Sequence, residues 1–107
     1  MPFGERVRKL RESRHWTQRE LAQRVEVSMS YISKVENERL HFGDFPSAKF
    51  IHRLATVLRA DEDELLLLAN KVPEKLLRRI RQRPDAFCRF AALTDSEMDR
   101  VINKLKN

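Results

Sequence analysis

Two helix starts follow one another so closely between Thr17 and Glu36, in T-Q-R-E-L-A-Q-R-V-E-V-S-M-S-Y-I-S-K-V-E, that the chain there has room only for two short helices and a tight turn. Thr17 is placed to cap the first helix and Glu20 to reciprocate, so hydroxyl and carboxylate each satisfy an amide that a helix start leaves free. Trp16 ahead of the cap and Leu21 behind it close over this box as a hydrophobic staple. Leu21, Ala22 and Val25 then share one face, which the spacing predicts to be buried. Ser28 opens the second helix in the same way, with Val27 and Ile32 as the staple pair. Ile32 and Val35, joined by either Met29 or Tyr31, supply its inner side. Met29, Ser30, Ser33, Lys34 and Asn37 remain largely on the outer side. Small, hydrogen-bonding and basic side chains of this kind suit a surface that approaches base edges and phosphates, whereas an ordinary solvated helix carries Glu/Lys pairs.

Further motifs follow in order. W-T-Q-R-E-L-A and V-S-M-S-Y-I-S-K-V-E-N are succeeded by F-P-S and then by L-A-T-V-L-R-A-D-E-D-E-L-L. A lone T-Q-x-E-L-A carries little information, but the ordered set, over roughly residues 3 to 70, resembles the helix-turn-helix domain of phage Cro and repressor proteins, the XRE-like family. The resemblance implies an all-α fold: a five-helix lambda-repressor-like domain over residues 1–70, with the helix that starts at Ser28 entering the major groove of double-stranded DNA. Residues 71–107 would then form a C-terminal helical extension that joins two copies.

The rest of the chain fits that expectation. Phe3, Val7 and Leu10 predict a first helix from about Phe3 to Arg14. Phe50, Ile51, Leu54, Ala55 and Leu58 predict another from about Ser47 to Arg59. Asp61 and Glu64 mark the start of a fifth, through Asn70. Between Asn37 and Pro46, N-E-R-L-H-F-G-D-F-P reads as a loop, longer and more aromatic than the family usually has. Beyond Lys71 the amphipathic pattern continues: Pro73 fits the first turn of a helix carrying Leu76, Leu77 and Ile80, and Pro84 that of one carrying Phe87, Phe90 and Ala91. Thr94 and Glu97 repeat the capping box, with Leu93 and Met98 as its staple, ahead of a stripe of Met98, Val101, Ile102 and Leu105.

Composition narrows the functional classes. The single cysteine excludes an intrachain disulfide framework, and with only two glycines and four prolines the chain favours helices with short connections. The net charge of +6 favours a polyanionic partner, and its distribution is uneven. Residues 1–39 carry nine Lys/Arg against six acids, residues 40–70 three against five, and residues 71–107 ten against five, so an acidic middle separates two basic flanks. No apolar run approaches the roughly 18 residues needed to span a bilayer, and M-P-F-G-E-R-V-R-K-L lacks a signal-peptide core, which makes a cytoplasmic protein the expectation. His15, His41 and His52 lack metal-ligand spacing, and no nucleophile elbow or phosphate-binding glycine loop is present, so neither an enzyme nor a metal or other cofactor is expected. Cys88 reads as a small buried hydrophobe. The run K-L-L-R-R-I-R-Q-R, residues 75–83, reads most simply as the solvated face of a packed helix, with an extension of the DNA footprint or a membrane or RNA surface as alternatives.

By the resemblance, Gln18 at the start of the second helix would grip the DNA backbone, where helix-end amides also attract phosphate. Its alternative is a solvent-exposed helical glutamine. Ser28, Met29, Ser30, Ser33 and Lys34 occupy the stretch that reads bases, although Met29 serves equally well as core. Tyr31 either turns its hydroxyl to phosphate or simply packs. Asn37 contacts phosphate or ends the helix, since Asn tolerates the left-handed conformation. Arg39 matches the family's phosphate-binding basic residue, or is a solvated arginine. Arg11 and Glu36 match a structural ion pair between the first and third helices. Glu26 and Glu38 stand where the family often has glycine, and Glu38 adds negative charge near the phosphates.

Three functions are compatible with this pattern. One is a transcriptional regulator, most simply a repressor binding an inverted-repeat operator as a homodimer. Another is an antitoxin or restriction-modification controller holding a protein partner through the C-terminal helices. The third is an interaction module of the same fold without DNA binding.

Overall fold

Short polar side chains set the helix starts. The side chains of Thr17, Ser28, Ser47, Asp61 and Thr94 accept the backbone amides of Glu20, Tyr31, Phe50, Glu64 and Glu97 at 3.1 to 3.2 Å. At Thr17/Glu20 and Thr94/Glu97 the glutamate returns the bond to the cap's own N–H, completing the box. The Thr94 backbone and hydroxyl thereby hold the Glu97 carboxyl below its ordinary pKa. Loss of such a cap typically costs about 0.5 to 2 kcal/mol.

The computed structural model describes residues 1–40 and 46–106. Among these the chain is all-α, with eight helices: α1 (Phe3–Ser13), α2 (Gln18–Val25), α3 (Met29–Glu36), α4 (Ala48–Leu58), α5 (Glu62–Leu68), α6 (Glu74–Gln82), α7 (Pro84–Ala91) and α8 (Asp95–Leu105). Half of the segment read as a long aromatic loop, 41–45 with His41, lies outside the described residues. The chain divides into two compact units, Met1–Pro73 and Glu74–Asn107.

In the first unit α4 is the central element. Its Phe50, Ile51, Leu54, Ala55 and Leu58 are buried with Val7 of α1, Leu21 and Val25 of α2, Ile32 and Val35 of α3, and Leu65 of α5. Leu10 and Trp16 cover the edge of this core. Helix ends are closed without glycine: His15, Glu26, Glu38, Arg59 and Asn70 all adopt the left-handed conformation, with φ between 52° and 62°. For an ordinary L-residue each costs roughly 1 to 2 kcal/mol, less for Asn. Arg14 offsets one such end by donating from Nη2 to the Leu58 carbonyl at 2.8 Å.

Gly4 is required for close approach. A Cβ there would lie 2.1 Å from the Val35 carbonyl oxygen and 3.0 Å from that of Glu36, so the first turn of α1 sits directly on the last turn of α3. Because both obstacles are backbone, Gly4→Ala should destabilise the unit by about 1 to 3 kcal/mol, measurable as a lowered urea midpoint.

The second unit is built differently. None of α6, α7 and α8 contains a buried residue. Phe87 and Phe90 meet edge to face with centroids 6.0 Å apart, yet Phe90, Ile102 and Leu105 remain 44%, 49% and 78% exposed. Cys88, expected to be buried, is exposed, because the α7 surface that carries it has no apolar cover.

Candidate nucleic-acid interface

The turn between α2 and α3 is made by Glu26, left-handed at φ 60°, and Val27, whose N–H reaches back to the Ala22 carbonyl at 3.0 Å. This points α3 across α2, with Ile32 and Val35 inward. Glu36 at the inner end of α3 then gathers three partners. Arg11 donates from Nε and Nη2 to its two carboxylate oxygens at 2.8 and 2.9 Å, and Gln18 Nε2 donates to Oε1 at 3.1 Å. The Arg11 Nη1 group also donates to the Trp16 carbonyl at 2.7 Å. The side chains of Arg11 and Glu36 are only 12% and 1% exposed, and the hydrogen bond to Glu36 holds the guanidinium above its already high pKa. One carboxylate thus locks α1, α2 and α3 together.

The outer side of α3 faces a concavity of about 610 Å³ lined by Gln18, Met29, Ser30, Ser33, Lys34, Asn37 and Arg39. No carboxylate belongs to this lining, and it contains two cations. The residues that the sequence pattern left on the outer edge of the second short helix therefore share one basic, polar hollow with Gln18 and Arg39. Met29, whose two readings were balanced, is 45% exposed.

Two of the anticipated contact residues, Ser28 and Tyr31, do not belong to this lining. The Ser28 hydroxyl is occupied as the α3 cap, and Tyr31 is half-buried with its ring edge-on to Phe50, centroids 5.1 Å apart at 76°. Asn37 ends α3 without the left-handed backbone suggested for it: its φ is −95°, and its side chain donates back to the Ser33 carbonyl at 2.8 Å. Glu38 takes that conformation instead, at φ 55°. Its N–H bonds to the Val35 carbonyl at 3.2 Å and that of Arg39 to the Lys34 carbonyl at 2.8 Å, a Schellman ending that sets the direction of the chain at Arg39.

Sequence reasoning missed the partner of Glu38, whose Oε1 accepts the Gly4 N–H at 2.6 Å. The available signal was faint: Pro2, which precedes α1, has no side-chain group to cap it. Sequence reasoning also missed Arg24 stacked over Trp16 at 4.2 Å, a cation–π contact that covers the staple residue of α2.

The family described as the helix-turn-helix domain matches residues 2–68, well over half of the chain. The chain belongs to this helix-turn-helix family. It is a helix-turn-helix domain of the XRE/Cro type. A solved SinR protein/SinI protein complex contains a chain of similar fold, at 21% identity and a TM-score of 0.56, with 97% of this chain and 94% of that one covered. No curated protein matches the chain in sequence. Among the described residues of this helix-turn-helix protein, no acidic, histidine or cysteine cluster could hold a metal ion, and no helix is long and apolar enough to cross a membrane.

Proposed function

We propose that the protein is a sequence-specific double-stranded DNA-binding regulator, acting in the cytoplasm as a repressor on an inverted-repeat operator. Residues 1–70 form the lambda-repressor-like DNA-binding domain, and residues 71–107 join two copies. The observation that carries this reading is the concavity on α3: a hollow without carboxylates, lined by serines, an asparagine, a methionine, a lysine and an arginine, on a helix locked in place by Glu36. Gln18 and Arg39 set the protein on the phosphates. Met29, Ser30, Ser33 and Lys34 read bases, with Lys donating to guanine O6 and N7 and Met touching a thymine methyl. Ser and Met discriminate less sharply than an Arg or Gln fork, so DNA shape and a second half-site about 34 Å away contribute to selectivity.

Selection of bound duplexes from a random pool tests this directly. The expected result is an inverted repeat with half-sites one helical turn apart. Recovery of no enriched sequence would overturn it. Lys34→Ala and Ser30→Ala should then alter the preferred bases, at about 1 to 3 kcal/mol per direct contact, whereas Arg39→Ala should weaken all sequences alike.

A second reading gives the C-terminal helices a protein partner, as in an antitoxin or a restriction-modification controller. It is favoured by the exposed Phe90, Ile102 and Leu105, and by the similar solved structure being a complex of two differently named proteins. Co-purification would separate it from a stand-alone repressor. The third reading, a module without DNA binding, draws on Glu26, Glu38 and the acidic middle of the chain; the Glu38 carboxylate accepts the Gly4 N–H, and the exposed Glu26 lies 3.9 Å from Arg53. Retained preference for one duplex over random DNA as salt is raised would count against it.

A further inference from the structure

Glu38 has two features that pull in opposite directions. As a non-glycine residue at φ 55° it strains the end of α3, yet its carboxylate receives the Gly4 amide at 2.6 Å across 34 residues of sequence. The N-cap of α1, Pro2, makes no side-chain capping bond, so Glu38 supplies from another helix the acceptor that the start of α1 lacks. An anion there also faces the positive end of the α1 dipole, while the carbonyls of Val35 and Glu36 lie against the bare Cα of Gly4. The next residue is Arg39. Its N–H is held by the Lys34 carbonyl and its side chain lines the concavity.

We propose that Glu38 is a positioning residue for the DNA interface: by taking the Gly4 N–H it clips the last turn of α3 to the first turn of α1 and so holds Arg39 at the rim of the hollow. The proposal rests on the concavity being the DNA-binding surface. It also reverses the sign expected of an acidic residue beside DNA. A free carboxylate would repel phosphates, so its removal would strengthen binding, whereas removal of a clip weakens binding.

The test uses the full chain and a fluorescently labelled mixed-sequence duplex, because a phosphate contact is indifferent to sequence. Glu38→Gly keeps the left-handed turn without strain and deletes the clip. Glu38→Asn also tolerates the turn but is one methylene shorter, a second form of the same deletion should the glycine variant unfold. Glu38→Gln retains the acceptor oxygen at full length. Affinity should fall roughly three- to tenfold in Glu38→Gly, with the dependence of log K on log salt shallower by about one contact, and Glu38→Gly/Arg39→Ala should be no weaker than Arg39→Ala alone. Glu38→Gln should stay within about threefold of the parent, since the acceptor is still in reach. Hydrogen exchange at the Gly4 amide should be slow in the parent and in Glu38→Gln, and fast in the other two variants.

Binding by Glu38→Gly that equals or exceeds that of the parent, or losses that simply add to those of Arg39→Ala, would overturn the proposal. A parent protein without affinity for the duplex would overturn the DNA reading as well. That result is recognisable because Arg39→Ala then changes nothing.

Discussion

Glu36→Ala is expected to remove about 3 to 5 kcal/mol of folding free energy, a large share of the roughly 5 to 15 kcal/mol that holds an ordinary domain folded. The carboxylate is 1% exposed and is the shared acceptor for the Arg11 guanidinium and the Gln18 amide, so its loss leaves the 12% exposed guanidinium with the Trp16 carbonyl alone and the half-buried Gln18 amide without this acceptor. The cost arises from those abandoned groups rather than from the intrinsic strength of the pair. For that reason a double replacement, Arg11→Met with Glu36→Leu, should cost much less than Glu36→Ala alone, because no uncompensated charge remains. Urea unfolding of the three proteins checks both statements. If Glu36→Ala fell by under 1 kcal/mol, the triad would be an ordinary surface pair, whose usual value is about 0 to 1 kcal/mol.

The second large effect is expected from Ile102→Glu on α8. Ile102 is already 49% exposed within the single chain, so a glutamate there should leave the protomer's helix content nearly unchanged. In the proposed dimer the same side chain would be taken out of water, and a buried unpaired carboxylate opposes association strongly. Light scattering should show the mass halved relative to the parent. Affinity for a duplex with two half-sites should fall about 10²- to 10⁴-fold through loss of the second, tethered contact, while affinity for one half-site stays the same. Unchanged mass and unchanged two-site affinity would take α8 out of the dimer contact and favour a different protein partner for that surface.

The first helices were legible because their signals are local. Thr17 with Glu20, Ser28, and Thr94 with Glu97 specify helix starts through bonds that span three residues, and apolar spacing then identifies the inward side. Met29 was harder: at the first position of α3, its periodicity fits core and surface equally, and only the packing of α2 decides that it faces out. The pairing of Arg11 with Glu36 came from family likeness rather than from spacing, since no local pattern links two residues on different helices. The bond from Gly4 to Glu38 was missed for the same reason. A carboxylate beside a DNA-facing helix reads as a liability, and nothing nearby in the chain announces that it also accepts a bond from the backbone of Gly4. The exposure of Cys88 depends on what covers α7, which a residue's own hydrophobicity does not specify.

The seating of Gly4 against the final turn of α3 bears on how this protein should be handled. A purification tag or fluorescent fusion placed ahead of Met1 would begin three residues from Gly4, whose N–H is held by the residue that precedes Arg39. A polyhistidine leader at that position would add its own partial charge to every binding isotherm and could mimic the salt response of a native contact. Linkers and reporters therefore belong away from the amino end, and titrations made with a leader still attached would describe the leader together with the protein.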